Sequence, residues 1–504
     1  MTEPSTHTAA SLQHIAILGG GTAGWMTANL LAHRWAHRGV SVTLVESPHI
    51  GIIGVGEGST PTLARLFRDL GIPDEEWMPE CKATYKVNIR FDGWSPGMGV
   101  SSYSHPFISQ LDVFTERAFH VNCRTRRLGL DVTTSPERFL FNGWLAKEGL
   151  SPRTPENFPF RIEYGYHFDS GLLGEFLKRK AIARGVTHLE LDVDGVSQYD
   201  DGRIKSLIAL NGEEVNADFF IDCSGFRALL IQQTLGVPFE SFASNLLNDA
   251  AVAIPSARDE QLPVETGASA LSAGWAWRIP LTHRTGNGYV YSTAYMTPDA
   301  AEAELRAQLG LLDADVEARH LKMRVGQVRE HWHKNCLALG LSQGFIEPLE
   351  ATALHLVQTS AEIFMDYYEE GDFTDTKRDA YNTVIHERFE RVRDYIVAHY
   401  KLNTRDDTQY WRDNRNNRHL SESLKQLLDV WYRGGDLTAE VQRQDLNSHF
   451  GATSWHCLFA GYGQFPPPAA RQPGEGDLFV INEISKLFTG CLLNFRKQKD
   501  SIGL

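Results

Sequence analysis

The chain has 504 residues, 42% apolar and 22% charged, close to the averages of soluble globular proteins, so it carries a large core and is neither a small binding module nor a disordered segment. Its 49 Lys and Arg against 63 Asp and Glu leave a net charge of −14, a field that repels phosphate backbones and anionic lipid, so neither nucleic acid nor a membrane surface is an expected partner. The six cysteines (Cys81, Cys123, Cys223, Cys336, Cys457, Cys491) are scattered without a C-x-x-C pair; no disulfide framework and no metal site is expected, and a reducing cytoplasm is the expected compartment.

The opening stretch up to His14 lacks the basic start and apolar centre of a secretion signal, and no apolar run approaches the ~20 residues of a membrane span. The apolar run His14–Leu18, a cluster of glycines, the helix-forming Thr27–Ala32 and the run Val42–Glu46 read as strand, turn, helix, strand, a βαβ unit. A second glycine-rich segment follows, Gly54-Val55-Gly56-Glu57-Gly58-Ser59-Thr60-Pro61-Thr62. Two further strands are predicted to end at glycine turns: Phe219–Asp222 before Cys223-Ser224-Gly225, and Cys336–Leu339 before Gly340. Between them, Trp275-Ala276-Trp277-Arg278-Ile279-Pro280 places two indoles on one side of an extended strand that Pro280 ends. From about Thr374 to Leu428 the spacing of apolar and charged residues predicts helices, and Pro466-Pro467-Pro468 with the Ala-Arg-Gln-Pro-Gly-Glu-Gly that follows reads as an exposed loop. Residues 1–370 are expected to form the cofactor-binding core and 371–504 a mainly helical part that packs on it and closes the substrate pocket.

Gly19-Gly20-Gly21-Thr22-Ala23-Gly24 satisfies G-x-G-x-x-G between a strand and a helix, where small residues let a pyrophosphate reach the helix N-terminus. Glu46 ends the second strand 22 residues after Gly24, the place of an acid that accepts ribose hydroxyls and favours FAD or NAD over a 2′-phosphorylated cofactor. The bland alternative is a tight turn that needs glycines. FAD is preferred to NAD because the chain returns twice, at Asp222 to Gly225 and at Gly340, to glycine-ended strands, as an extended dinucleotide requires.

Gly24-Trp25, the Gly54–Thr62 segment, the W-x-W-x-I-P element and Gly344-Phe345-Ile346-Glu347-Pro348-Leu349-Glu350-Ala351-Thr352 together resemble the flavin-dependent halogenases of the tryptophan halogenase type, over essentially the whole chain. The resemblance implies an α/β fold: an FAD-binding Rossmann-type domain, GR2-like as in flavin monooxygenases, with a mainly helical C-terminal substrate subdomain. It implies a two-component enzyme in which a separate NAD(P)H-dependent reductase supplies reduced FAD, and O₂ and halide (chloride or bromide) yield hypohalous acid that travels through an internal tunnel to an indole-like aromatic. A homodimer is compatible with it.

By the same resemblance, Lys86 in Ala83-Thr84-Tyr85-Lys86-Val87-Asn88-Ile89 matches the catalytic lysine, whereas the neighbouring Lys82 falls off the motif, and Glu350 matches the catalytic glutamate. The FAD-binding positions are Gly19, Gly20, Gly21, Thr22, Ala23, Gly24, Glu46, Glu57, Gly58, Val193, Asp222, Gly225, Gly340, Leu341 and Leu354. Thr352 and Ala353 match the halide-binding amides, and Trp275, Trp277, Ile279 and Pro280 form the flavin-face motif that keeps substrate from the cofactor. Ala353 stands where tryptophan-specific members have Gly; if the backbone needs a positive φ there, Ala is strained. His105 and Phe107 match two walls on the indole ring, and Phe450 replaces the stacking Trp. Tyr432-Arg433-Gly434-Gly435-Asp436-Leu437 offers no convincing match to the groups that hold the ammonium and carboxylate of free tryptophan. Two alternatives remain at this point: a flavin monooxygenase or oxidase of the same fold, against which the double Trp and the Lys86–Glu350 pair argue, and a non-catalytic FAD-binding protein.

Overall fold

The computed structural model describes residues 12–51, 56–473 and 481–504. Gly54 and Val55 of the second glycine segment, the first eleven residues and Gly474 to Gly476 of the Pro-rich stretch therefore lie outside the described residues.

The βαβ reading holds. Strand His14–Leu18, helix Thr22–Trp35 and strand Ser41–Glu46 open a six-stranded sheet whose order is Trp332–His333, Cys336–Ala338, Phe219–Asp222, His14–Leu18, Ser41–Glu46, Thr187–Glu190. Every neighbouring pair is parallel except the outermost hairpin Trp332–His333 with Cys336–Ala338. The near-continuous apolar composition of these strands suits burial on both faces. Their register aligns Leu18 with Asp222 and Val45, and Asp222 with Ala338, so the glycine-ended strands named above finish along one edge, where open α/β sheets bind ligands.

A seven-stranded sheet packs beside it in the order Arg319–Lys322, Ala250–Ser256, Thr285–Tyr291, Gly274–Pro280, Glu265–Leu271, Asn88–Ser95, Val100–Pro106. Its W-x-W-x-I-P strand is central. A small antiparallel sheet of Gly56–Gly58, Gly165–Asp169 and Thr84–Lys86 links the glycine segment to the Lys86 strand.

After the helix Ala353–Glu370, the elements described are helical, including Arg378–Leu402, Gln409–Asn416, Glu422–Tyr432, Leu437–Arg443 and Ala452–Gly461. They share one continuous apolar core with the sheets, in which Trp94, Trp275, Tyr395 and Trp411 are all buried. No helix among the described residues is long and apolar enough to cross a membrane. The six cysteines are free thiols.

Candidate active site

The glycine loop is built by close approaches that only hydrogen allows. Gly19, at φ +119°, lies where a methyl group would overlap the Cys223 carbonyl, and a methyl on Gly24 would overlap the Gly19 carbonyl. Gly20 abuts the Glu46 carboxylate, whereas a methyl on Gly21 or Gly225 would meet nothing within 4 Å. The open space thus lies over Gly21, beside the first-turn N–H groups of helix Thr22–Trp35, which lack intrahelical acceptors. Glycine packing on three sides and vacancy on the fourth fit a dinucleotide phosphate, and with Glu46 at the strand end they fit FAD.

Glu46 lies 2.8 Å from both Lys178 Nζ and His188 Nε2. Glu46, His188 and Glu190 come close enough to gather a metal ion, but Lys178 already supplies the positive charge there. Asp222 is fully buried, and its carboxylate accepts from Ser224 N–H, Ser224 Oγ, Leu230 N–H and Ile231 N–H. These four bonds hold the carboxylate against the Gly225 turn. Gly340 packs on Ala23, a methyl there coming 2.9 Å from the Ala23 Cβ. Leu341 lies in the 3-10 turn Gly340–Ser342. Val193 starts a strand of a separate antiparallel sheet just after Leu191, whose N–H donates to the Glu46 carbonyl at 2.9 Å.

At the far end of the small sheet, Lys86 is fully buried, with no hydrogen-bond partner for Nζ among the described residues. A methyl on Gly58 would come 3.3 Å from that nitrogen, and Nζ stands 5.2 Å from the Phe107 ring centre. Gly58, read from sequence as a cofactor residue, therefore borders the lysine. Burial pushes the ammonium down from 10.5 to about 7, against the pull of Glu350. His167, held between Thr84 Oγ1 at 3.1 Å and Thr266 Oγ1 at 2.8 Å, is kept well below its ordinary range by burial and by Lys86. Glu57 is raised to about 7, chiefly by burial and against a hydrogen bond from Ser170.

Glu350 is buried at 3% exposure and lies between two histidines: His105 Nδ1 at 3.0 Å from both carboxylate oxygens and His399 Nε2 at 3.0 Å from Oε1. Burial would raise the carboxyl, but the imidazoles hold it down at about 2. The next residue, Ala351, has φ +56°, while Ala353 opens the long helix Ala353–Glu370. The condition for strain at Ala353 is not met, since position 353 is ordinary helix; the left-handed residue is Ala351. Thr352 caps that helix with a buried, unpartnered hydroxyl, and Leu354 is buried in its first turn. First-turn amides without intrahelical acceptors at Thr352 and Ala353 suit an anion.

Trp275 donates its indole N–H to Glu347 Oε2 at 2.9 Å, where Tyr400 OH (2.5 Å) and Asn248 Nδ2 (2.9 Å) also donate. Trp277 lies over Gly288, whose missing side chain makes room for the ring, and Ile279 lies across from Gly56. The two indole centres are 6.4 Å apart, as same-side residues of one strand require. Pro280 ends the strand and accepts from Thr84 Oγ1 at 2.8 Å.

Phe450 is half-buried and stacks on Tyr395 at 3.7 Å, with His105 at 6.4 Å. One of its faces is thus already covered. His399, Tyr103, Tyr462 and Glu347 were not singled out from sequence. Glu347 sits inside a quoted motif and was within reach of that reading; His399, about fifty residues from Glu350 in the chain, carried no signal.

The family model described as Tryptophan halogenase matches residues 14–474. The 7-chloro-L-tryptophan 6-halogenase KtzR of Kutzneria sp. (strain 744) is 38% identical over 484 residues, covering 90% of this chain and 91% of that one. Two solved structures superpose on nearly the whole fold. The tryptophan 6-halogenase SttH of Streptomyces toxytricini has a TM-score of 0.82 at 32% identity, covering 97% and 99% of the two chains. Xcc4156, a flavin-dependent halogenase from Xanthomonas campestris, has a TM-score of 0.84 at 30% identity, covering 98% of each.

Proposed function

The chain belongs to the tryptophan halogenase family, whose members are flavin-dependent halogenases, and from that premise we propose that it directs hypohalous acid through Lys86 and Glu350 to an indole-like aromatic ring. Reduced FAD, with O₂, supplies the oxidising equivalents that convert halide to hypohalous acid. Gly19 to Gly24 and Glu46 hold the dinucleotide at the strand ends. Thr352 and Ala353 hold the halide, and Trp275 with Trp277 keeps the aromatic substrate apart from the cofactor.

The observation that carries the proposal is the buried Lys86 amine, which has no hydrogen-bond partner among the described residues and so has a hydrogen bond to give. Lys86 donates it to the hypohalous acid and fixes the halogen's approach. Glu350, ionised between its histidines, stabilises the positive charge that develops on the ring and then takes the ring proton. His105, Phe107 and Phe450 flank the ring. The relatives' names make free tryptophan the second reading, which the weak match at Tyr432–Leu437 disfavours: Tyr432 is 60% exposed.

The test uses purified protein, a separate flavin reductase, halide and an indole, with product read by mass spectrometry. Lys86→Ala and Glu350→Gln are expected to abolish halogenation while retaining FAD binding and release of hypohalous acid to a scavenging dye. Full halogenation by Lys86→Ala overturns the assignment. The chain alone is expected not to consume NADH, because one dinucleotide fingerprint is present and FAD takes it; rapid consumption would indicate a single-component monooxygenase.

A further inference from the structure

The environment of Glu350 assigns a role to a residue outside the signature motifs. His399, on helix Arg378–Leu402, is fully buried against Phe91, ring centres 4.7 Å apart. Its Nε2 faces Glu350 Oε1 at 3.0 Å, and its Nδ1 faces Tyr462 OH at 3.1 Å and Tyr103 OH at 3.3 Å. An ionised carboxylate only accepts, so Nε2 carries the proton and the neutral ring's Nδ1 is an acceptor. Burial keeps both phenols protonated, far above their usual range; Tyr103 donates to Tyr462, and the single Nδ1 lone pair accepts from the nearer Tyr462 O–H, so the pair acts on the imidazole as one relay. His105 is arranged the other way round, with Nδ1 toward Glu350 and Nε2 3.0 Å from Ser454 Oγ.

We propose that His399, its tautomer set by Tyr103 and Tyr462, is a positioning residue that occupies Glu350 Oε1 and leaves Oε2 as the oxygen that receives the ring proton. Among the described residues, Oε1 carries both histidine contacts, whereas Oε2 has only the shared bond from His105. In the step itself the ring C–H bond breaks, its electron pair restores the aromatic system, and the proton forms an O–H bond at Oε2. Glu350 becomes neutral, both histidines keep their protons, and the proton returns to water after product leaves. The inference rests on the halogenase reading above and adds to it the base atom and the residue that selects it.

Two measurements test it. In the full-length protein with ¹⁵N-labelled histidine, without cofactor, His399 is expected to show the Nε2–H tautomer, with its titration displaced below the ordinary imidazole range by burial; an Nδ1–H tautomer overturns the proposal. In turnover, His399→Gln places an amide N–H near the position of Nε2, whereas His399→Asn imitates Nδ1. The Gln variant is expected to stay within about five-fold of the native halogenation rate, and the Asn and Phe variants to fall at least twenty-fold, all four proteins releasing hypohalous acid to the dye at similar rates. Equal loss in Gln and Asn variants, or a native rate in His399→Phe, overturns it. Absence of halogenation in the native protein with every indole tried, while the NMR result holds, strikes at the functional reading and leaves the His399 geometry standing.

Discussion

Replacing Lys86 by Met isolates the energetic cost of burying an unpaired amine, because Met fills a similar volume without the charge. The unfolded chain keeps the lysine proton up to about 10.5, whereas burial makes the folded protein release it at about 7. Between those values the unfolded state binds more protons, so native stability rises with pH across that window and is lowest below pH 7. At ~1.4 kcal/mol per pH unit, the full gap is about 5 kcal/mol, an upper bound that water entry and side-chain relaxation reduce. Lys86→Met removes this penalty. Its stability advantage over the native protein is therefore expected to shrink from about 5 kcal/mol at pH 6 to about 2 kcal/mol at pH 9, while halogenation is lost. Urea unfolding followed by fluorescence at pH 6, 7, 8 and 9 measures it; the packing difference between Met and Lys is a constant offset, so the trend is the signature. An advantage that does not change with pH would mean that the amine is hydrated or paired, and the reasoning from its isolation would fail.

Gly21→Ala is expected to keep the native melting temperature and lose FAD affinity at least ten-fold by fluorescence titration, since its methyl enters open space, whereas Gly24→Ala, whose methyl overlaps the Gly19 carbonyl, destabilises the fold itself. Ala351→Gly relieves a left-handed backbone at φ +56° and is expected to raise stability in urea unfolding by about 0.5–1 kcal/mol, the relief of ~1–2 less the extra unfolded-state entropy of glycine. Bromide is expected to support turnover at least as fast as chloride at matched concentration, because it is easier to oxidise. Indole is expected to exceed free L-tryptophan in kcat/KM, since the ring walls His105 and Phe107 are present while no cradle for the zwitterion is evident at Tyr432–Leu437, and an unpaired buried ion costs several kcal/mol; competing the two substrates in one vessel decides it.

The parallel sheet and its glycine-ended strands were legible because each carries its own local signal, an apolar run followed by a residue type that only a turn or a close approach demands. Lys86 and Glu350 were singled out only through resemblance, since a lysine in an apolar run and a glutamate after Pro-Leu have many ordinary explanations. What the sequence hid was long-range. Helix Arg378–Leu402 was expected from its periodicity, yet nothing in that periodicity says that His399 faces Glu350, or that Tyr103 and Tyr462 converge on the same imidazole. The left-handed backbone at Ala351 was hidden for a related reason: it is fixed by how the Pro348–Glu350 turn meets the next helix, which local sequence does not reveal.

The W-x-W-x-I-P strand does more in this fold than present two indoles. Its last residue, Pro280, accepts a hydrogen bond from Thr84, two residues before Lys86, and its first indole, Trp275, donates to Glu347, three residues before Glu350. Ile279 also lies across from Gly56, on the strand that ends at Gly58 beside the Lys86 amine. One seven-residue strand, Gly274–Pro280, thus touches the chain segments that carry the amine, the carboxylate and the glycine turn, and it is itself held centrally in a seven-stranded sheet. On the proposed function, a small oxidant is placed between an amine and a ring, which needs those groups fixed to fractions of an ångström, and a central strand is a stiff element to fix them. The motif contacts the segments of both proposed reacting groups at once: changing Trp275 is expected to disturb the loop of Glu350, and changing the Pro280 end the strand of Lys86, whatever either residue does at the flavin face.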